Sequence, residues 1–255
     1  MDGVPPAAWA VLGLSLVTLP LAIALSDAYP AFFLIVSVVW LVSPMFFTQD
    51  RALFNLCLAH SLFFVILYVR VLAVSAVRLF DSTELVGYHV EQAAALIVLL
   101  LLAGRFFPLQ MLKVTRQGIG RAMAFGLAVG LPFGVLDHLS GERIVVVPSL
   151  GWPAYLVWAV TLSLLVGTVE EVLFRGVIYR PARNIVGPRT ASMFQALLFS
   201  LVHYPNPPSA LAAALLFGVI MVFLVERTGN IFGPVVAHFS NNTIWMSLAR
   251  SSPFF

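Results

Sequence analysis

Two adjacent glutamates, Glu170 and Glu171, end a long apolar stretch and are the first residues in this chain that point to chemistry. A positioned carboxylate can take a proton from water and return it to a leaving group, as a general base does. Arg175 follows Glu171 by one helical turn, so an ion pair between these two side chains is predicted. Adjacent helical residues point about 100° apart, so the two glutamates cannot serve one site equally.

Two histidines and an asparagine lie in later apolar runs. His203 follows Phe199 by one helical turn, and His238 is followed by Asn242 at the same spacing in the last apolar run. The second pair projects from one helix face, where it can present two donors to one oxygen or two ligands to one ion. Imidazole and amide donors are suited to stabilising a tetrahedral oxyanion.

Membrane-spanning helices must position these side chains. Of the 255 residues, 61% are hydrophobic and 10% are charged, whereas soluble domains carry about 25% charged residues. A transmembrane helix needs about 20 apolar residues. Apolar runs predict spans near 7–27, 31–47, 52–78, 86–104, 120–138, 152–179, 190–204, 208–226 and 231–249. Because 31–47 and 190–204 are short, we expect an all-α polytopic transmembrane bundle of eight or nine helices, forming one integral membrane domain over 1–255.

The charged residues exclude several classes of function. The formal net charge of +3 comes almost wholly from arginine, with Lys113 the only lysine, so no nucleic-acid-binding stripe is present. Arginine-rich loops near 105–121 and 180–189 are expected in the cytoplasm. The preference for arginine favours a prokaryotic genome and its cytoplasmic (inner) membrane. Cys57 is the only cysteine, which excludes an intramolecular disulfide and a cysteine zinc cluster.

The three titratable candidates are predicted to share one membrane layer. Glu170, His203 and His238 lie 10, 14 and 8 residues from the nearest cytoplasmic boundary, or about 15, 21 and 12 Å at 1.5 Å per residue. Their helices alternate in direction, so sequence spacing alone does not impose this agreement. An ionisable group within a span costs about 2.5–3.5 kcal/mol on insertion scales, so each one needs a partner or a function.

Three motifs on three apolar segments resemble the signature motifs of a known family. They are Glu170-Glu171-x-x-x-Arg175, Phe199-x-x-x-His203 and His238-x-x-x-Asn242. They resemble those of the CPBP family, which comprises CAAX prenyl proteases of the Rce1 type and the bacteriocin-processing or immunity (Abi) proteins. The resemblance covers roughly 150–250, which would be the catalytic core.

The resemblance implies a role for each motif residue. Glu170 would be the general base with His203 as its partner, and His238 with Asn242 would form the oxyanion hole. Glu171, Arg175 and Phe199 would support them. The expected activity is intramembrane hydrolysis of a membrane-anchored or lipidated protein or peptide, near its C-terminus.

Metal-free glutamate catalysis is favoured, and zinc is left open as an alternative. The chain has no H-E-x-x-H pair and no cysteine ligand, so a glutamate, two histidines and an asparagine are the ligands it could offer. Two other functions stay open: a non-enzymatic immunity or binding protein on the same fold, and a proton-coupled transporter. Against a transporter, no inverted repeat is found. The identity of the substrate and the oligomeric state do not follow from the sequence.

Four other ionisable residues receive structural interpretations. We expect His60 and His89 to be bundle or interface residues, and Glu91 to lie near a span end with access to water. Asp137 is expected at a solvated helix terminus.

Overall fold

The computed structural model describes residues 4–26, 30–79, 84–106, 118–141, 150–204 and 206–251. These residues form helices α1 (Pro6–Ser26), α2 (Pro30–Val42), α3 (Arg51–Leu79), α4 (Glu84–Phe106), α5 (Ile119–Ser140), α6 (Trp152–Glu171), α7 (Tyr179–Val186), α8 (Pro188–Leu201), α9 (Pro208–Thr228) and α10 (Phe232–Ser251). A 3₁₀ turn, Ser43–Phe47, extends α2, and a π-helical turn, Val172–Ile178, joins α6 to α7. The described ranges contain no strand, which confirms the predicted polytopic helical bundle. Lys113 lies outside these ranges.

Six helical segments in the described ranges are long and apolar enough to cross a membrane. They are Pro6–Ala24, Arg51–Ala73, Val86–Arg105, Ile119–Ser140, Trp152–Val186 and Pro208–Thr228. Large apolar side chains on their outer surfaces remain uncovered, as expected of faces that meet lipid; Val17, Leu101 and Phe223 are examples. The chain is therefore a multi-pass integral membrane protein.

The remaining predicted spans are also helical, with one correction. Residues 231–249 fall in α10, which has the length of a span but carries the polar residues of the third motif. The predicted span 190–204 corresponds to α8, which begins earlier and ends at Leu201. His203 therefore lies in the turn that follows α8, because the backbone there changes to short-range bonds such as the one from His203 N to Ser200 O (3.1 Å).

Helix α5 packs directly against α10 through a stripe of glycines. Gly126, Gly130 and Gly134 recur every four residues and are all buried. A Cβ atom at Gly134 would lie 2.6 Å from the Asn241 carbonyl oxygen, and one at Gly130 would overlap the Ala237 carbonyl. Small residues at this spacing let two membrane helices approach closely. The spacing is visible in the sequence as G-x-x-x-G and identifies the partner-facing side of α5, which hydropathy alone does not.

A chain of aromatic rings crosses the core beside the three motifs. The ring centroids of Phe63 and Phe174 are 5.6 Å apart, those of Phe174 and Phe199 are 5.1 Å apart, and those of Phe199 and Phe217 are 6.1 Å apart. Tilted and edge-to-face contacts of this kind add to the stabilisation from burial. These ring contacts connect α3, the π-helical turn, α8 and α9. They therefore help to fix the positions of the helices that carry the motif residues.

Substitution of Gly130 by alanine should separate α5 from α10 and lower stability. Overpacking of this kind costs about 1–3 kcal/mol, and we expect a lower thermal unfolding midpoint for the purified protein in detergent. Gly104→Ala is the matched control, because a Cβ atom at Gly104 meets nothing within 4 Å, and alanine is the better helix former by up to about 1 kcal/mol. Equal midpoints for the two variants would contradict the close approach of α5 and α10.

Candidate active site

The centre of the site is a buried network of Glu171, Arg175 and His238. One carboxylate oxygen of Glu171 lies 3.0 Å from Arg175 Nη1 and 2.8 Å from His238 Nδ1. The side chains of Glu171 and Arg175 are fully enclosed, and His238 is nearly so. The predicted ion pair between Glu171 and Arg175 is therefore present, and the same carboxylate also holds a histidine from α10.

Glu170 reaches the same histidine from its other side. Its Oε2 atom lies 3.8 Å from His238 Nε2, and its Oε1 atom lies 3.5 Å from Nη1 of Arg70 on α3. The side chain of Glu170 is 9% exposed, whereas that of Glu171 is fully buried. The two glutamates thus differ in position as predicted: Glu171 is enclosed, and Glu170 retains a small accessible surface.

His203 and Phe199 form a second group beside this network. His203 Nδ1 lies 2.7 Å from the Phe199 carbonyl oxygen, and the two rings are 4.9 Å apart. The Phe199 ring also contacts the His238 ring at 5.8 Å and the Arg175 guanidinium at 4.8 Å. Phe199 therefore packs against both histidines and the central arginine. These contacts are how it could play its predicted supporting role.

Asn242 is held through a neighbour that the sequence motifs do not include. The Asn241 side-chain amide donates to Asp137 Oδ2 (2.8 Å) and to Asn242 Oδ1 (3.2 Å), and all three residues are buried. Because Oδ1 of Asn242 accepts a bond, its Nδ2 group is the end of the side chain that can donate to a substrate. Asp137 reaches Asn241 because the glycine stripe brings α5 against α10.

Arg175 is fixed by groups on three elements. Its position lies in the π-helical turn that begins directly after Glu171, and all seven residues of that turn are buried. Arg175 Nη2 donates to the Gly218 carbonyl of α9 (3.4 Å), which also accepts a bond from Gln195 of α8 (2.9 Å). A π-helical turn changes the helix phase and is frequent at functional sites. Here it places Arg175 between Glu171 and α9.

The hydrogen bonds define the proton positions on both histidines. Glu171 faces the Arg175 guanidinium and is therefore a carboxylate, which can only accept, so His238 Nδ1 carries a proton. The Phe199 carbonyl likewise accepts from His203 Nδ1. When the His203 ring carries one proton, Nε2 consequently has the lone pair needed to accept a hydrogen bond from water. Nε2 of His238 bears a proton only when the ring is an imidazolium.

The arrangement of the described residues bears on the zinc alternative. Among them, no group of three or more His, Cys, Asp and Glu side chains is arranged to hold a metal ion. A catalytic zinc normally uses three protein ligands at about 2.0–2.2 Å. His238 and His203 both engage an acceptor through Nδ1, as metal-bound histidines do.

Two expectations about residues outside the motifs are wrong. Glu91 is not water-accessible: it is 5% exposed and lies 2.5 Å from Arg70 Nε. Asp137 is not a solvated helix end, because it is buried against Asn241. Both corrections have one cause, which is that α3, α4 and α5 fold against the motif helices and cover groups that look terminal in the sequence.

His60 and His89 both contact neighbouring helices, as expected for bundle or interface residues. His60 is buried between the rings of Trp40 and Phe194. His89 bonds to Thr161 Oγ1 (2.8 Å), which links α4 to α6. A cavity of about 510 Å³ next to His89 is lined by Val86, His89, Leu150, Ala154, Val157 and Trp158. None of the motif residues lines it.

Comparison with protein families agrees with this geometry. The model of the Rce1-like family, described as type II CAAX prenyl endopeptidase Rce1-like, matches residues 152–244. This range contains all three motifs, so the match bears out the resemblance to the CPBP family over this part of the chain. The match supports a membrane-embedded protease. Comparison with curated proteins and with solved structures gave no match.

Loss of the Glu171 carboxylate should destabilise the protein far more than loss of an exposed charge. Removing one partner of a buried ion pair costs about 3–5 kcal/mol, because the other charge is left uncompensated. Glu171→Gln leaves Arg175 in that state. The control is Arg183→Gln, which breaks a pair with Glu226 (3.2 Å, side chains 42% and 36% exposed); exposed pairs contribute about 0–1 kcal/mol. Thermal unfolding measures both, and equal shifts would contradict the buried network.

Proposed function

We propose that the protein is an intramembrane endopeptidase of the glutamate type that cleaves a membrane-anchored or lipidated protein or peptide near its C-terminus. The observation that carries the proposal is the convergence of Glu170 and Glu171 on the two ring nitrogens of one histidine, within a membrane bundle. This cluster lies inside the range that matches the CAAX endopeptidase family. A carboxylate, imidazoles and an amide supply the groups that peptide hydrolysis requires.

Glu170 and His203 activate water in this proposal. The Glu170 carboxylate takes a proton as the water oxygen attacks the carbonyl carbon, and Nε2 of His203 accepts a hydrogen bond that orients the water. The carbonyl carbon becomes tetrahedral and its oxygen becomes negative. The proton then passes from Glu170 to the leaving nitrogen, and the C–N bond breaks to release an amine and a carboxylic acid.

His238 and Asn242 stabilise the oxyanion. Asn242 donates through Nδ2, because its oxygen is engaged by Asn241. His238 must donate through Nε2, since Nδ1 is bonded to Glu171. His238 therefore acts as an imidazolium, whose charge the Glu170 and Glu171 carboxylates compensate. The bond from Nδ1 to a carboxylate favours this charged form over a neutral imidazole donor.

The substrate is proposed to reach the site from within the membrane, as a peptide with a lipid or transmembrane anchor. A prokaryotic inner membrane is the proposed location, based on the arginine preference of the chain. In that setting, the proposed substrates are a leader peptide, a pheromone precursor or a C-terminal sorting tag. An immunity factor on the same fold would use Glu170 for packing only, so the first experiment must separate turnover from folding.

Glu170→Gln should abolish cleavage and leave the protein folded. The variant keeps the volume of the side chain but cannot take a proton from water, and the loss of a general base reduces turnover about 10²–10⁴-fold. The assay compares membrane peptides from cells carrying each form, and measures cleavage of an internally quenched, lipidated peptide in proteoliposomes. Glu226→Gln, on the exposed surface of α9, is the matched control. Identical peptide profiles for wild type and Glu170→Gln would refute a protease.

A second test separates metal-free from metal-dependent catalysis. In the proposed mechanism, cleavage survives prolonged treatment with a strong chelator, and purified protein contains far less than one zinc per chain. Asn242→Asp removes the amide donor and adds a negative charge, so kcat should fall about 10²–10³-fold. The same change would strengthen a metal site, since carboxylate is a better zinc ligand than an amide. Stoichiometric zinc in the wild type, and recovery of Asn242→Asp on adding zinc, would overturn the glutamate mechanism.

A further inference from the structure

The guanidinium of Arg70 lies between two buried carboxylates from different helices. Its Nε atom is 2.5 Å from Glu91 Oε1, and its Nη1 atom is 3.5 Å from Glu170 Oε1. Arg70 belongs to α3 and Glu91 to α4, and both helices lie outside the range that matches the endopeptidase family. Neither residue is part of a sequence motif, so the N-terminal helices contribute charged groups to the site.

We propose that Arg70, held by Glu91, is a positioning residue that aims the Glu170 carboxylate at the attacking water. This inference rests on the proposed function and adds to it a pair of residues that the motifs do not contain. Arg70 acts through Glu170 and does not itself take part in the bond changes. Glu91 in turn acts through Arg70.

The two carboxylate oxygens of Glu170 face different partners. Oε1 faces Arg70 at 3.5 Å, whereas Oε2 faces His238 Nε2 at 3.8 Å. Together these contacts define how the carboxylate plane is rotated about its terminal carbon–carbon bond. Without Arg70, only the longer contact to His238 would remain. A general base must lie within hydrogen-bond reach of the proton it takes, so its rotation directly affects turnover.

The charges of the site show why a second arginine is needed. Glu170 and Glu171 are adjacent carboxylates, and Arg175 forms its ion pair with Glu171. Arg70 places a second positive charge 3.5 Å from Glu170 Oε1, so each of the two adjacent carboxylates faces its own guanidinium.

Glu91 fixes the position of Arg70. A long arginine side chain loses considerable rotamer freedom when it is held in one geometry, and the contact from Glu91 to Nε restricts the guanidinium from the side opposite Nη1. Glu91 is itself bonded by the Gln92 side-chain amide (3.2 Å), and both residues are buried. The connected groups therefore run from Gln92 through Glu91 and Arg70 to Glu170.

Steady-state kinetics of four variants in the peptide assay test this inference: Arg70→Gln, Arg70→Lys, Glu91→Gln, and the double variant of Arg70→Gln with Glu91→Gln. Misplacement of a catalytic group by 1 Å can reduce turnover about 100-fold, and we expect Arg70→Gln to lower kcat by about that factor without changing KM. Lysine should restore part of kcat, because an ammonium keeps the charge but lacks the planar fork that reaches both carboxylates. Glu91→Gln should lower kcat less.

The double variant is the sharpest measurement. If Glu91 acts through Arg70, Glu91→Gln should cause no further loss of kcat once Arg70 is glutamine. Additive losses, an increase in KM with kcat unchanged, or a kcat for Arg70→Gln equal to that of wild type would each overturn the proposal. Arg183→Gln, which removes an exposed arginine from another ion pair, is the matched control and should retain wild-type kinetics.

Two checks keep the outcome interpretable. Thermal unfolding of each variant separates loss of folding from loss of turnover, and if Arg70→Gln does not fold, Arg70→Lys and Glu91→Gln carry the test. Cleavage by wild type but not by Glu170→Gln establishes the proposed function irrespective of Arg70. Absence of cleavage by wild type would instead refute the proposed function, so the two failures are distinguishable.

Discussion

The contact of the Glu171 carboxylate with Arg175 and His238 is the interaction on which the arrangement of the site depends. A fully enclosed guanidinium would be strongly unfavourable within an apolar bundle if its charge were not compensated. The same oxygen of Glu171 faces both the arginine and the histidine, so one carboxylate joins α6, the π-helical turn and α10. The distance from His238 to Glu170, and therefore the geometry of the proposed reaction, follows from this shared oxygen.

Close packing of α5 against α10 is the second requirement, and glycines in the helix contact make it possible. Between membrane helices there is little hydrophobic driving force, so small residues that permit close approach become decisive. The glycines of α5 bring its backbone against Ala237 and Asn241. This approach lets Asp137 accept from Asn241 and thereby orients Asn242. A packing feature of one helix thus determines the direction of a polar side chain on another.

The N-terminal helices do more than support the motif helices, because they also contribute polar side chains to the site. The family match begins at residue 152, yet Arg70 and Asp137 both reach groups within the matched range. One supports the proposed base and the other supports the proposed oxyanion donor. The motif helices therefore contain the groups proposed to react, while α3, α4 and α5 supply charges and acceptors that contact them.

Composition, hydropathy and motif spacing determined the membrane location, the all-helical architecture, most of the spans and the identity of the central residues. These features are local: a span needs a continuous apolar run, and a pairing such as Glu171 with Arg175 needs only one helical turn. The family resemblance likewise rests on short motifs within single helices. Each of these can be recognised without knowing which helices are neighbours.

The tertiary structure decided everything that depends on which helices are neighbours. That Glu171 binds His238 from the far end of the chain, that Glu91 is buried by Arg70, and that Asp137 faces Asn241 are contacts between residues separated by 21 to 104 positions. Hydropathy also could not predict that α8 ends before His203, because the apolar run continues past the last helical turn. The physical reason is common to all four cases: hydropathy reports transfer into lipid, whereas the partner of a buried polar group is set by helix packing.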